Sequence, residues 1–475
     1  MAGFVEGVDR TQATLFPDRL EDYVGEDNPV RVVDAFVDAL DLRELGFARA
    51  RPASMGRPGY DPAVLLKLYV YGYLNRIPSS RRLEREASRN VELMWLTGRL
   101  APDHKTIADF RRDNGPAIKR VCGQFVLLCR KLGLFGDAVV AIDGSKFKAV
   151  NNRDQNFTAA KMQRRLAEVE AAIARYMTDM DGADAAPDGD ARVEHLQEKL
   201  AALHTHMAEL KAIDEQLKAS PDGQVSLTDP DARSMNARGS GIVGYNVQAA
   251  VEAKHHLVVA HDVVMTGSDR AQLGPMATAA KAAIDAGAIE VVADRGYYSG
   301  PQVRSCEAAG VSAHVVKPIT SNAVADGRFG KHDFVYDASS DSYRCPAGER
   351  LTHRATANED GEMIRLYWAS TCGACAMKTR CTTGKERRVR RWEHEPVLEA
   401  MAQRLGQRPE LMRLRRSTVE HVFGTIKSWM GSTHFLTRGL ANVRTETSLQ
   451  VLAYNLKRVM RTVGIAPLLA AIRAA

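Results

Sequence analysis

A chain of 475 residues, 45% of them hydrophobic and with a formal net charge of +7, is long enough for two to four folded units with buried cores. No apolar run approaches the roughly 20 residues needed to span a bilayer, which argues against a helical membrane protein. The acidic start MAGFVEGVDRTQ lacks the basic and apolar regions of a signal peptide, so no membrane association and a cytoplasmic location are expected.

Residues from about Val30 to Leu134 read as helical. Apolar positions such as Leu65, Leu66, Leu68, Tyr69 and Tyr71 crowd DPAVLLKLYVYGYLNR, and breaks fall at Pro78, Gly98 and Gly115. In APDHKTIADFRRDNG, Thr106 reads as an N-cap with Asp109 as its capping partner, and Arg111 and Arg112 form a basic helix end. Such a helix after a tight turn is how a helix-turn-helix DNA reader is built, and equally how an ordinary surface helix looks.

Next, DAVVAIDGSKFKAV is a β-branched run that predicts a strand ending at Asp143, with Gly144 allowing a turn. Between Thr158 and Ser220, apolar residues recur at three and four: Leu166, Val169, Ile173, Met177, then Val193, Leu196, Leu200, Leu203, Met207 and Leu210. The intervening DGADAAPDGDA favours a break, so an antiparallel helical hairpin is expected, inserted into a domain begun by the Asp143 strand. GIVGYNVQAAVEAKHHLVVAHDVVMTG then predicts a strand hairpin turning near Ala253 to His255. A helix from about Arg270 to Ala286, the strand IEVVAD ending at Asp294, a helix from about Gly300 to Ala309 and a strand at SAHVVKP follow. After a cysteine-bearing segment the chain finishes in helices. GSGIVG, Gly239 to Gly244, formally matches G-x-G-x-x-G but precedes a strand instead of joining strand to helix, so it is read as flexible backbone.

Three acids stand out. Asp143 and Asp294 close apolar strand runs, where open α/β sheets present ligand-binding groups and where an Asp also simply makes a turn. Glu420 lies on RLRRSTVEHVFGTIKSWMG, where Arg416, Glu420 and Lys427 are four and seven residues apart and share one helix face. That face suits either a metal ligand beside a phosphate backbone or an ordinary ion pair. Charge is uneven along the chain: the first fifty residues are acidic, whereas Lys378 to Lys427, with Lys385, Arg387, Arg388, Arg390 and Arg391, is strongly basic. A basic stretch is either a phosphate-binding surface or a solvated face.

Of seven cysteines, Cys122, Cys129 and Cys306 read as core residues, whereas Cys372, Cys375 and Cys381 form C-x2-C-x5-C with Cys345 upstream. Thiolates at such spacing suit structural Zn²⁺ in a closed site, the alternative being four reduced thiols. His204 and His206 in the insertion read as surface residues.

AIDGSKF, ADRGYYS and the R-x3-E-x6-K spacing of Arg416, Glu420 and Lys427 resemble the DDE transposases of bacterial insertion sequences, in particular the IS-five and IS-eleven-eighty-two-like groups. The resemblance runs from GRPGYDP at Gly56 to NLKRVM at Met460. It implies an α/β fold with a ribonuclease H-like catalytic core, in which Asp143, Asp294 and Glu420 bind Mg²⁺ or Mn²⁺. It also implies an N-terminal all-helical DNA-binding domain (1–134) and a core in two segments: 135–318 with the helical-hairpin insertion at 158–220, and 401–475 with the Glu helix. A small lobe carrying the four cysteines (319–400) lies between the two core segments. Similar transposases carry a comparable cysteine set before the Glu helix. The implied partners are the terminal inverted repeats, target DNA and a second subunit at synapsis. Arg416, Lys427, Arg111 and Arg112 are the expected DNA contacts, with Arg295 and Tyr297 beside Asp294 as further candidates. Many relatives place a Tyr three residues before the Arg, where this chain has Arg413. A catalytically silent DNA-binding derivative and a nuclease sharing the core are the alternatives.

Overall fold

The structure is a computed structural model that describes residues 19–52, 58–136, 139–151, 153–184, 190–237, 240–318 and 322–474. It is mixed α/β and comprises two compact units. The larger holds residues 1–136, 144–267 and 419–475; the smaller holds 137–143 and 268–418. Among the described residues no helix is long and apolar enough to cross a membrane.

The larger unit begins with helices Pro29–Asp38, Pro62–Leu74, Ser80–Ala87, Val91–Thr97, His104–Asp113 and Gly115–Lys131, in the region expected to be helical. Pro62–Leu74 is apolar on every side and accordingly buries all but a few of its residues; its Lys67 is compensated by Asp34 at 2.6 Å and Asp38 at 2.7 Å. His104–Asp113 is capped by Asp103, whose carboxylate accepts from the amides of Lys105 and Thr106. Thr106 is therefore inside the helix, and its hydroxyl donates to Asp103 at 2.7 Å, because Asp103, three residues earlier, reaches both free amides.

The long helix Leu440–Val463 buries residues around most of its circumference and packs against Gly115–Lys131, Pro62–Leu74 and the strand Val258–Val264. Its Glu446 is buried, and the carboxylate accepts from the amides of Leu436 and Thr437 and from the Thr437 hydroxyl. Cys122 and Cys129 are buried as expected, and burial pushes both thiols up to about 12.

Two helices, Ala159–Asp184 and Asp190–Ala219, pack on each other as the expected hairpin, around Met162, Val169, Met207, Leu210 and Leu217. Met177 departs from the pattern and is 52% exposed. Residues 185–189, where the break is expected, lie outside the described residues. His204 and His206 are exposed.

Strands Arg233–Ala237, Ser240–Glu252 and Val258–Val264 form an antiparallel set, the first of which the hydrophobic pattern did not signal. Strand Val139–Lys148 does not end at Asp143. It continues to Lys148, and its far end in this unit lies beside Ser240–Glu252, where the Ala149 amide donates to the Val243 carbonyl at 3.0 Å. A Cβ at Gly244 would sit 1.9 Å from the Phe147 carbonyl oxygen, so this glycine serves close backbone approach within a strand and not flexibility.

The smaller unit contains a parallel set: the start of Val139–Lys148, then Ile289–Ala293, then Val311–Val315. These strands are nearly all buried, as parallel strands covered by helices are. Helices Leu273–Ile284 and Gly300–Ala308 pack together, and Glu395–Gln407 packs against Val311–Val315 and Gly300–Ala308. Cys306 is fully buried here. The segment expected only as a cysteine-bearing insertion forms a five-stranded antiparallel sheet in the order Val389–Trp392, Glu362–Trp368, Arg350–Glu359, Ser342–Arg344, Val335–Asp337. Its core is Phe334, Tyr343, Leu351, Tyr367 and Val389.

Candidate active site

Asp143 and Asp294 meet in the smaller unit through strand register. Val139 to Ile142 pair in parallel with Glu290 to Ala293, so the next residue on each strand is Asp143 and Asp294 respectively. Asp294 follows its strand directly and caps the short turn Arg295–Tyr297, accepting from the Gly296 amide at 2.8 Å. The Arg415 guanidinium lies between the two acids, with Nη2 2.8 Å from Asp143 and 3.7 Å from Asp294. Arg415 is only 14% exposed, Asp143 23% and Asp294 41%, so this is a sheltered ion cluster with one side open to solvent. Tyr297 is fully buried and its hydroxyl is held well above its usual range, by burial first and then by Asp269, Asp143 and Asp294. A buried ring cannot meet DNA, so Tyr297 is removed from the candidate contacts; Arg295 is exposed.

Glu420 lies on helix Glu410–Gly424, five residues beyond Arg415, in the stretch of that helix belonging to the larger unit. It is exposed and lines a cavity of about 450 Å³ with His421, Trp429, Tyr454, Lys457, Arg458 and Arg461. Three cations and a 67% exposed indole make this a positively charged, partly aromatic wall. His421 and His256 rings stand 4.9 Å apart. Burial is the main cause that lowers both imidazoles, with Arg458 adding to it, and His256 falls to about 4.

Lys427 lies in a π-helical turn, Thr425–Trp429, that continues the helix carrying Glu420. Its ammonium donates to the Ser145 hydroxyl at 2.7 Å and the Lys146 carbonyl at 2.8 Å, over the Phe147 ring at 4.4 Å. Arg416 is exposed.

The N-terminal arginines divide. Arg112 is exposed and paired with Asp109 at 2.6 Å and Asp113 at 2.8 Å. Arg111 turns inward over the Tyr69 ring at 5.4 Å, in the field of Tyr73 and Glu446. Much of the basic run is likewise spent on packing: Arg387 over Phe334, Arg388 over Trp368, and Arg391 buried over Tyr336 and bound to Glu399 at 2.5 Å. Aromatic residues far along the chain drew these cations in, which composition alone does not reveal.

Cys345, Cys372, Cys375 and Cys381 line one small cavity of about 30 Å³ and are free thiols. Two of these positions begin tight turns: the Gly348 amide donates to the Cys345 carbonyl at 2.9 Å and the Cys375 amide to the Cys372 carbonyl at 3.5 Å. The Cys381 thiol is raised mainly by burial, offset by Arg387 and raised further by the other three cysteines. Among the described residues no three His, Cys, Asp or Glu side chains stand in an arrangement that could hold a metal ion.

Comparison with known proteins identifies the class as transposase. Residues 18–113 match the family described as Transposase domain (DUF772), and residues 344–460 match the family described as Transposase DDE domain. Both matches support a DDE-type transposase of insertion-sequence type. No curated protein matches. A solved piggyBac transposase synaptic complex with hairpin DNA matches at 8% identity over 94% of this chain and 79% of that one, with a TM-score of 0.31.

Proposed function

We propose that this transposase cuts DNA at the ends of its element and joins those ends to target DNA, through a ribonuclease H-like core using Asp143, Asp294 and Glu420. The observation that carries this reading is the parallel register that sets Asp143 beside Asp294 with a cation already between them. Two adjacent carboxylates on the ends of parallel strand pairing, sheltered yet open on one side, form a hard-oxygen donor set that fits Mg²⁺ or Mn²⁺. Glu420, carried by the helix that also carries Arg415, is the third ligand in this reading. Bound ions would supply the positive charge that activates the attacking oxygen and offsets charge on the leaving one.

The chain's own groups do the rest. In the first step water attacks the phosphorus at the element end and the P–O3′ bond breaks, leaving a 3′-hydroxyl and a 5′-phosphate. In the second that hydroxyl attacks a target phosphodiester, one P–O bond forming as another breaks. Arg416, exposed four residues before Glu420, and Lys457, Arg458 and Arg461 around the Glu420 cavity would hold backbone phosphates, while Trp429 offers a face for a base. Lys427 would act through Ser145 and Lys146, fixing the strand just beyond Asp143. Exposed Arg112 fits a DNA contact of the N-terminal helices better than the inward Arg111 does.

Cys345, Cys372, Cys375 and Cys381, which line one cavity and of which two begin tight turns, would be the thiolate donors of a structural Zn²⁺ ordering the five-stranded lobe once drawn together around it. Two copies of the chain are expected when two ends are synapsed.

The test is cleavage and strand transfer on DNA bearing the terminal inverted repeats, with Mg²⁺ or Mn²⁺. Asp294→Ala should bind that DNA and not cut it; full cleavage by Asp294→Ala removes the proposal. Cutting without joining would reassign the chain as a nuclease.

A further inference from the structure

Arg415 stands out because neither the R-x3-E-x6-K spacing nor the proposed reaction uses it, yet it is in ionic contact with both of the paired aspartates. Asp143, Asp294 and Arg415 all belong to the smaller unit. One guanidinium nitrogen, Nη2, reaches both acids, at 2.8 and 3.7 Å, and the Nε of the same side chain is buried without a hydrogen-bond partner. An arginine placed to make its best bonds would present its fork to one carboxylate through two nitrogens. Here it straddles two acids and leaves a donor unsatisfied, an arrangement set by the position of the charge and not by hydrogen-bond geometry.

We propose that Arg415 is the resident counter-cation of the Asp143–Asp294 pair and competes with divalent metal for those two carboxylates. The inference rests on the reading of the two aspartates as metal ligands. Two adjacent sheltered carboxylates repel each other, and a positive charge between them keeps them in place. A divalent ion and the guanidinium cannot both occupy the space between Asp143 and Asp294. Metal binding therefore displaces Nη2 from at least one acid, and that exchange lowers the apparent metal affinity. Arg415 acts through the aspartates, so it is a positioning residue and not a catalytic one. Its displaced fork is suited to a phosphodiester oxygen, being always charged and rich in donors.

The test is Mn²⁺ binding to the full-length, metal-stripped protein, followed through the electron paramagnetic resonance signal of free Mn²⁺. Arg415→Gln should bind Mn²⁺ about tenfold more tightly than the native chain, a change of about 1.4 kcal/mol. In chelator its thermal midpoint should fall below native, and saturating Mn²⁺ should close the difference. Should Arg415→Gln fail to fold, Arg415→Lys decides: its single ammonium replaces the fork, and affinity at least threefold above native supports competition. Native or weaker affinity in the folded variant overturns the role given to Arg415. The aspartate reading still stands in that case if Asp143→Asn loses the native binding. If native, Arg415→Gln and Asp143→Asn all bind Mn²⁺ equally, the aspartates are not the ligands and both proposals fall.

Discussion

Lys427 donates to the Ser145 hydroxyl at 2.7 Å, two residues along the strand from Asp143. A second bond from the same ammonium, to the Lys146 carbonyl at 2.8 Å, ties a π-helical turn to strand backbone. Lys427→Met keeps the contact with Phe147 but removes both charged bonds. Equilibrium urea unfolding should show a loss of roughly 1.5–3 kcal/mol. A variant as stable as native would mean that the ammonium is replaced by water at no cost, and that Lys427 serves DNA alone.

Asp143 and Asp294 should differ in what they do for stability even where both are needed for activity. Arg415 is closer to Asp143, which is also the less exposed acid. Asp143→Ala leaves a sheltered guanidinium with a single acid 3.7 Å away and should cost on the order of 1–3 kcal/mol in metal-free buffer. Asp294→Ala should cost less, and Asp143→Ala combined with Arg415→Gln should recover some of the loss. Thermal melts of these variants beside the native chain in chelator decide this.

Gly244 has no room for a side chain, since a Cβ would fall 1.9 Å from the Phe147 carbonyl oxygen, a backbone atom that cannot swing aside. Gly244→Ala should therefore push its own strand away from the one that carries Phe147 and cost about 3 kcal/mol or more. Soluble yield and unfolding midpoint would show it; near-native stability would mean that the close approach is not kept in solution.

His261 gives the larger unit an acid sensitivity. Its Nε2 is the donor to Ser448 Oγ at 2.8 Å, because the single hydroxyl hydrogen of Ser448 goes to the Arg444 carbonyl at 3.0 Å. Burial, and secondarily Lys119, lower the imidazole from its ordinary 6.5 to about 4, against a smaller opposing effect of Asp262. A lowered value means that the folded chain binds fewer protons than the unfolded chain between those limits. This stabilisation is complete above pH 6.5 and is lost as the pH falls toward 4. From pH 7.5 to 5 the native protein should lose about 2 kcal/mol more than His261→Gln, which keeps a donor and does not titrate. Urea unfolding at the two pH values measures the difference; parallel losses would show that the ring is solvated.

The zinc proposed for the cysteine lobe can be tested directly. Cys372→Ser with Cys375→Ser should lower zinc content from about one ion per chain to about none. It should also open the five-stranded lobe to protease while leaving the parallel strands of the same unit protected. Purified native protein without zinc by elemental analysis would leave four reduced thiols in a lobe built around Phe334 and Tyr367 as the whole account.

The sequence determined what short-range chemistry can encode. Apolar periodicity marked the N-terminal helices and the hairpin insertion, β-branched runs marked the strands that carry Asp143 and Asp294, and Gly and Pro marked most breaks. It also supplied the acids and the Arg416, Glu420, Lys427 spacing, because those are matters of residue type and count. Tertiary structure decided the rest. Asp143 lies within a strand and not at its end because a neighbouring strand continues to pair beyond it. Arg415, one residue off the motif, bridges two acids more than a hundred residues away in sequence, and strand register brings those acids together. The basic run from Lys385 to Arg391 read as either a phosphate surface or a solvated face; aromatic residues of the lobe stack on Arg387, Arg388 and Arg391 and bury the last, while Lys385, Arg388 and Arg390 stay exposed. In each case the deciding partner is distant along the chain, so local propensity carries no trace of it.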